Sequence, residues 1–191
     1  MQAAILNNDE YTGISIMLLD EKMDHGPVLL QEKIKLNNSI TLPILHDNLA
    51  KKGADILVKA LDEFVSNNIT PQEQNHTQAT FTKMIKKESG TINWSDNAKK
   101  IDSHIRAFVG WPGAYSIFQN KKIEITKASI LEKNTKNKQP GLVVMIDKDV
   151  IVECGIGKLK LEKVKLAGKK EMSIQDFVRG CDDFIGSVLD K

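Results

Sequence analysis

The feature that most restricts the fold is a run of nine residues, 158–166, built largely from alternating charged and aliphatic side chains. It reads Lys158-Leu159-Lys160-Leu161-Glu162-Lys163-Val164-Lys165-Leu166. Successive side chains of a β-strand point to opposite faces of its sheet, so this period of two predicts one strand with a charged face and a buried face. The chain must therefore contain a sheet that packs one side against a core.

Further short strands are expected near this run, separated by residues that favour turns. The candidate strands are Ala114–Phe118, Ile123–Leu131, Leu142–Ile146 and Val150–Glu153. Ser95 is expected to cap a helix before them and Ser173 a short helix after them, while Trp94 and Trp111 are expected to pack into the core. Short strands flanked by helices are typical of a small β-barrel of the oligonucleotide-binding (OB) type, which we predict over residues 91–191.

Residues 1–66 have a different pattern. Thr12–Leu19 predicts a largely buried strand, Asp20–Gly26 an accessible loop, and Pro27–Leu36 a second strand of the same hairpin. Apolar residues three, four or seven apart from Thr41 to Val65 predict one helix, or two joined near Gly53. One helix cannot cover both faces of a sheet, so we expect residues 1–66 to be the latter part of a larger α/β domain.

A polar stretch at residues 67–90 separates these two regions and predicts a linker. The net charge of +2 conceals a difference between the two parts. Residues 1–80 hold six basic and eleven acidic residues, a net of −5, whereas residues 81–191 hold 21 basic and 14 acidic residues, a net of +7. Such a basic module suits a polyanionic partner. An equally acceptable explanation is that the lysines merely solvate a surface.

Composition limits the class of protein further. No apolar run approaches the ~20 residues that span a bilayer, and the first residues lack the features of a signal peptide. Only two cysteines, Cys154 and Cys181, are present, and neither has flanking metal ligands. We therefore expect a cytoplasmic protein that contains no metal and does not bind membranes.

Asp24 is the first candidate for chemistry, in the segment Met23-Asp24-His25-Gly26-Pro27. A carboxylate on a loop at a strand end can act as a base or orient a histidine, although an ordinary turn aspartate is the more frequent explanation of such a pattern. His25 follows directly, but adjacent residues rarely aim at one point. We therefore expect an exposed loop histidine and no Asp24–His25 pair.

Several segments together resemble the folate-dependent formyltransferases, and within that family the members that act on methionyl initiator tRNA. The segments that carry the resemblance are 12–17, 24–29, 86–95, 105–114 and 167–172. They include Asp24-His25-Gly26-Pro27-Val28-Leu29 and Phe108-Val109-Gly110-Trp111-Pro112-Gly113-Ala114. The resemblance extends over essentially the whole chain.

This resemblance implies the latter part of a Rossmann-like formyltransferase domain followed by the OB-like barrel. It implies transfer of a formyl group from 10-formyltetrahydrofolate to the amino group of methionyl initiator tRNA, by a protein we expect to be a monomer. Asp24 matches the family's catalytic aspartate. The loop that borders the folate corresponds to Asp20, Glu21, Met23, His25 and Gly26.

The basic linker and barrel match the region of the family that faces tRNA. Lysine supplies a point charge that suits phosphate. We expect the contacts at Lys83, Lys86, Lys87, Lys121 and Lys122.

The sequence departs from the family in one respect. The family's Asn-x-His pair, which stabilises the developing oxyanion, lies upstream of the position that corresponds to Met1. We therefore expect this chain to be a C-terminal portion that is inactive alone. Two other functions remain open, a non-catalytic RNA-binding module and a formyltransferase that acts on nucleotide sugars.

Overall fold

The computed structural model describes residues 1–190, without the side chains of residues 132 and 133. The elements before the polar segment are α1 (Gln2–Leu6), β1 (Tyr11–Met17), β2 (Val28–Lys35) and α2 (Leu42–Val65). Those after it are α3 (Ala98–Ala107), β3 (Tyr115–Phe118), β4 (Lys121–Lys136), β5 (Val143–Ile146), β6 (Asp149–Glu153), β7 (Ile156–Leu166), β8 (Met172–Ser173) and α4 (Ile174–Arg179). Among the described residues, no helix is both long and apolar enough to cross a bilayer.

The hairpin of β1 and β2 is confirmed, with Met17 opposite Val28 next to the loop. The expectation that the first strand is largely buried is wrong, because side chains along β1 alternate between exposed and half-buried positions. The helix α2 packs against both strands of this hairpin. Gly53 of α2 faces β1, where a Cβ would lie 3.4 Å from Ile14 Cδ1.

α2 is one continuous helix that passes through Gly53. Thr41 occupies the N-cap position, but its side chain makes no capping hydrogen bond. The helix buries Leu45, Ile56 and Ala60 and leaves Leu57 and Leu61 about half exposed, at 45% and 51%. Apolar side chains therefore occur on two faces of α2, and one of those faces has no cover in the described chain.

The polar segment after α2 contains two short 3₁₀ turns, His76–Gln78 and Lys87–Gly90. Its two ends are held by strand-like contacts. Gln72 exchanges two backbone hydrogen bonds of 2.8 Å with Val28, and Thr91 forms a parallel bridge with Tyr115. The segment thus begins on the hairpin and ends on the larger sheet.

The second sheet is antiparallel, with the strand order β3-β4-β7-β6-β5 and with β8 paired to β7. The closed OB-like barrel is not confirmed, since the end strands β3 and β5 do not pair with each other among the described residues. The C-terminal segment 186–190 bonds to both ends instead. Ile117 N donates to Asp190 O at 3.0 Å, and Val143 N donates to Ser187 O at 2.9 Å.

β7 is a strand as predicted, but its alternation is not continuous. Leu159, Leu161 and Val164 are fully buried, so the buried face shifts by one residue after Leu161. The register explains the shift, because Ala128 of β4 opposes Leu161 while Lys127 opposes Lys163. The extra residue forms a β-bulge, which bends the strand and raises its twist.

Two local expectations near α3 need correction, and one at α4 is confirmed. The cap of α3 is Asn97, whose side chain accepts from Lys100 N, and not Ser95. Trp94 is buried as expected, whereas Trp111 is 53% exposed. It lies in the turn between α3 and β3, outside the core. Ser173 does cap α4, accepting from Asp176 N.

A single core joins the two ends of the chain. Ile5 of α1 and Leu45 of α2 belong to the same buried cluster as Ile101 and Ile105 of α3. α1 is not among the expected elements, because five residues are too few to show a period. Its packing on α3 places residues 1–66 directly beside the second module.

Candidate active site and nucleic-acid interface

A backbone hydrogen bond closes the base of the loop between β1 and β2. Leu18 N donates to Pro27 O at 2.9 Å, so the residues between them project as one unit. Gly26 is buried at this point, where a Cβ would lie 2.0 Å from Leu18 O. Only glycine fits there, which explains its place in the sequence pattern.

Asp24 lies at the exposed end of this loop with a backbone φ of +55°. This is the left-handed region, which aspartate tolerates better than most residues but which still needs support from its surroundings. The residue lines a cavity of about 500 Å³ between the loop and the polar segment. The structure therefore places the predicted catalytic residue where it could meet a ligand.

Gln74, from the polar segment, holds the loop around Asp24. Its Nε2 donates to Gly26 O at 2.7 Å and to Asp24 O at 3.1 Å. The same nitrogen lies 3.8 Å from Met17 Sδ at the end of β1. Sequence reasoning missed this residue because it lies 50 positions from Asp24 in a stretch with no motif.

His25 is not the exposed loop residue that we expected. Its Nδ1 is 2.6 Å from Asp20 Oδ2, and its ring stacks on the ring of His76 with centroids 3.7 Å apart. The expected absence of an Asp24–His25 pair fits this arrangement, since the partner of His25 is Asp20. The hydrogen bond with His25, supported by that from Lys22 N, lowers the pKa of Asp20. His76 is a second residue that the local sequence did not mark.

The predicted folate-loop residues take different positions. Met23 and His25 line the cavity with Asp24, while Asp20 reaches it only through His25. Gly26 forms the base of the loop, and Glu21 is exposed and does not line the cavity. Met23 and Phe81 are 91% and 92% exposed, so the cavity has an apolar rim.

This arrangement suits a ligand that combines a flat apolar group with polar atoms. The cavity volume lies within the range of small-molecule sites, about 300–1,000 Å³. Its polar lining includes Asp24, Asn75 and Gln78, together with Gln74, Thr80 and the two histidines. Among the described residues no group of three or more His, Cys, Asp or Glu side chains could hold a metal ion.

The two cysteines do not contribute to this site. Cys154 is buried in the second sheet, and burial raises the pKa of its thiol to about 12. Cys181 follows α4, and burial raises the pKa of its thiol as well. Neither thiol is prepared to act as a nucleophile.

The predicted tRNA-contacting lysines lie along the end of the polar segment and the adjoining sheet. Lys83 lines a second cavity of about 480 Å³, which shares Phe81 with the first. Lys86 and Lys87 are exposed at the 3₁₀ turn, and Lys121 is exposed at the start of β4. No carboxylate lies within ion-pair distance of these four among the residues that the structure describes.

Lys122 is connected to the polar segment through Tyr115. Its Nζ lies 3.9 Å from the centre of the Tyr115 ring, and the hydroxyl of that tyrosine accepts from Thr91 Oγ1 at 2.9 Å. Thr91 directly follows the turn that carries Lys86 and Lys87. Tyr115 thus links Lys122 of β4 to Thr91, the residue that follows the turn.

The exposed Trp111 lies beside the same region. A Cβ on Gly90, the last residue of the 3₁₀ turn, would lie 2.0 Å from Gly113 O in the loop that carries Trp111. Several lysines elsewhere on the second sheet have acidic partners. Lys127 pairs with Glu162 and Lys163 with Glu171, which lowers the pKa of both carboxyl groups.

Comparison with known proteins supports the formyltransferase resemblance. The model of the family described as "Formyl transferase, C-terminal domain" matches residues 84–182, and that described as "Formyl transferase" matches residues 1–61. Methionyl-tRNA formyltransferase from Clostridium acetobutylicum is 36% identical over 187 residues, which cover 97% of this chain. The match covers 60% of that relative's length.

Two solved structures share the fold. HypX from Aquifex aeolicus, in complex with tetrahydrofolic acid, matches 100% of this chain and 33% of its own, with a TM-score of 0.68 and 17% identity. The N-formyltransferase of Helicobacter canadensis, with folinic acid and dTDP-3-aminofucose, matches 83% of this chain and 58% of its own, with a TM-score of 0.66 and 20% identity. The family-model matches, the first of which spans more than half of the chain, show that this chain belongs to the formyl transferase family.

Proposed function

We propose that this chain supplies Asp24 and the tRNA-binding surface for transfer of a formyl group from 10-formyltetrahydrofolate to the amino group of methionyl initiator tRNA. The observation that carries the proposal is the position of Asp24. It lies in a cavity whose neighbouring surface bears exposed lysines that have no acidic partner in the part of the chain that the structure describes. The name of the relative from Clostridium acetobutylicum, 36% identical to this chain, supports tRNA as the acceptor.

The role of this loop in the reaction is to supply one carboxylate in a suitable position. The amine nitrogen forms a bond to the formyl carbon, the bond from that carbon to the folate nitrogen breaks, and the attacking amine must lose a proton. Asp24 is exposed to the cavity and can accept that proton, directly or through water. The departing folate nitrogen regains a proton, so the exchange balances.

The folate co-substrate suits the lining of the Asp24 cavity. A flat ring system can pack against Met23 and Phe81, while Asn75 and Gln78 offer amide donors and acceptors. The folate carries the formyl group, and the chain's own residues bind and orient it.

The tRNA acceptor suits the lysines around Tyr115 and the 3₁₀ turn. Exposed, unpaired lysines give sequence-independent attraction to phosphate that weakens with salt. Because Lys83 lies on the second cavity, which shares Phe81 with the Asp24 cavity, a bound backbone would lead toward Asp24. Trp111, 53% exposed, offers a surface on which a base could stack.

The proposal is tested by binding of the chain to methionyl initiator tRNA and to a dTDP-linked amino sugar, each over a range of salt concentrations. We expect tRNA to bind, and Lys87→Ala to reduce the slope of log affinity against log salt by about one. Lys59→Ala is the matched control, since Lys59 is exposed on α2. Binding of the sugar nucleotide without tRNA would contradict the proposal and favour a sugar-nucleotide formyltransferase.

A second arm separates catalysis from RNA binding alone. Formyl transfer is measured with wild type and with Asp24→Asn, which keeps the size of the side chain and removes its basicity. We expect any transfer to be lost in the variant while tRNA affinity is unchanged. Transfer that persists in Asp24→Asn would rule out the proposed role of the carboxylate.

A further inference from the structure

The loop that carries Asp24 has hydrogen bonds of its own at Asp20, from Lys22 N and with His25, but these bonds do not reach Asp24. Asp24 is exposed, has a φ of +55° and is preceded by Met23, which is 91% exposed. A left-handed backbone at a residue other than glycine is unfavourable and persists only where its surroundings enforce it. Another part of the chain must hold Asp24 in place.

Gln74 supplies that restraint with one side-chain nitrogen. Nε2 donates to Asp24 O at 3.1 Å and to Gly26 O at 2.7 Å. These carbonyls belong to the peptide groups that follow Asp24 and Gly26. An amide has two N–H donors, and only its NH₂ end can face two carbonyl oxygens. Its orientation is therefore fixed by the contacts.

The segment around Gln74 is anchored on both sides. Two residues earlier, Gln72 exchanges backbone hydrogen bonds of 2.8 Å with Val28 of β2. Two residues later, His76 stacks on His25 with the ring planes 1° from parallel. Gln74 thus reaches the loop from a segment that cannot move independently of the hairpin.

We infer that Gln74 is a positioning residue for Asp24, because it holds the peptide group that directly follows Asp24 and, through Gly26 O, the base of the loop. The inference rests on the proposed function, in which Asp24 accepts the proton of the attacking amine. His76 supports the same restraint through His25. The restraint itself can be measured without any ligand, so its test is independent of that function.

The test is NMR of the full chain, with the ¹³Cα and ¹³Cβ shifts of Asp24 as a report on its backbone conformation. The variants are Gln74→Leu, which has similar size and no donor, and Gln74→Glu, whose carboxylate would face two carbonyl oxygens. Gln78→Leu is the matched control, since Gln78 lines the same cavity from the same segment. Thermal melting of each protein is recorded in parallel.

We expect both Gln74 variants to move the Asp24 shifts toward random-coil values, with β1 and β2 shifts and the melting temperature nearly unchanged. Gln78→Leu should leave Asp24 as in wild type. Unchanged Asp24 shifts in Gln74→Leu would overturn the inference. So would a general loss of β1 and β2 shifts together with melting, because Gln74 would then only stabilise the hairpin. A failure of tRNA binding would instead count against the proposed function.

Discussion

His104 of α3 lies where a positive charge is poorly accommodated. Its Nε2 is buried with no hydrogen-bond partner among the described residues, and the ring contacts Phe108 edge-on with centroids 4.7 Å apart. Burial lowers the pKa of this imidazole, an effect that Lys100 reinforces and that Asp96 and a hydrogen bond to the Gly90 backbone oppose. The folded chain therefore favours the neutral ring.

The sign of the pH effect follows from the lowered pKa of His104. In the unfolded chain the pKa of His104 is about 6.5, and in the folded chain it is lower. The neutral ring therefore adds its full contribution to the free energy of unfolding above pH 6.5, and this contribution is lost as the pH falls toward the pKa of the folded chain. We expect wild type to lose more stability between pH 7 and pH 5 than His104→Asn. The asparagine does not titrate but keeps an N–H donor for Gly90. Equal changes in melting temperature for the two proteins would contradict this assignment.

The local sequence identifies some residues of the site and misses others for a physical reason. Asp24 and Gly26 can be found because a short loop between strands shows its turn chemistry in its own residues. Gln74 and His76 act across about 50 residues of intervening chain. Their contacts depend on where the polar segment returns to the hairpin, which no local pattern specifies.

A buried hydroxyl adds to the backbone hydrogen bonds that hold the segment 186–190. Ser116 of β3 is fully buried, accepts from Trp94 Nε1 at 3.0 Å and donates to Asp190 O. Loss of this hydroxyl leaves the indole N–H buried without an acceptor, at a cost of about 1–3 kcal/mol. In a chain of this size, 1 kcal/mol shifts the melting temperature by about 2–4 °C.

We therefore expect Ser116→Ala to melt several degrees below wild type. Ser66→Ala, an exposed serine after α2, should be neutral. Thermal melts of Ser116→Ala, Trp94→Phe and the double variant form a cycle that isolates the hydrogen bond. Strictly additive effects in the cycle would show that the Trp94–Ser116 hydrogen bond does not contribute to stability.

Secondary structure is predicted well where the alternation of polar and apolar residues extends over many positions. Features that depend on tertiary contacts are predicted poorly. α2 and the strands of the second sheet follow their patterns. The burial of β1 and the closure of the barrel were not predicted correctly from the sequence. Each depends on which other part of the chain packs on the face of β1 or pairs with the edge strands of the second sheet. The shift of alternation in β7 shows the same limit, since the bulge opposite Lys127 and Ala128 is set by the partner strand.

At the scale of the molecule, Arg106 joins residues 1–66 to α3. Its Nε donates to Asp102 Oδ2 at 2.8 Å and its Nη1 to Ile40 O at 3.1 Å. Ser103, 3.3 Å from Nη2, donates to Asn8 Oδ1 at 2.7 Å. Arg106 is 9% exposed, so these bonds are made away from water.

Arg106→Met should destabilise the chain by about 3–5 kcal/mol, because it leaves the Asp102 carboxylate buried without its partner. The double variant Asp102→Asn/Arg106→Met should recover part of that loss, since the remaining group is uncharged. Chemical denaturation gives the free energies of unfolding. If the double variant loses as much free energy of unfolding as the two single variants lose together, Asp102 and Arg106 are not a coupled pair.

The difference in net charge between residues 1–80 and residues 81–191 also bears on the proposed function. The acidic part, residues 1–80, contains Asp24, and the basic remainder contributes Lys83 to the cavity that adjoins the Asp24 cavity at Phe81. A polyanion would be attracted by the basic surface and kept off the hairpin and α2. In the proposed function, this surface delivers the end of a tRNA to Asp24.

A photo-cross-linker attached at Met23→Cys tests that claim most directly. Met23 is 91% exposed on the rim of the Asp24 cavity, and Val65→Cys, 78% exposed at the end of α2, is the control. Cys181 is replaced by serine in both proteins, and the buried Cys154 is left in place. With methionyl initiator tRNA bound, we expect a cross-link from position 23 to the 3′-terminal adenosine and none from position 65. A cross-link from position 23 only to other parts of the tRNA, or equal cross-linking from both positions, would contradict it.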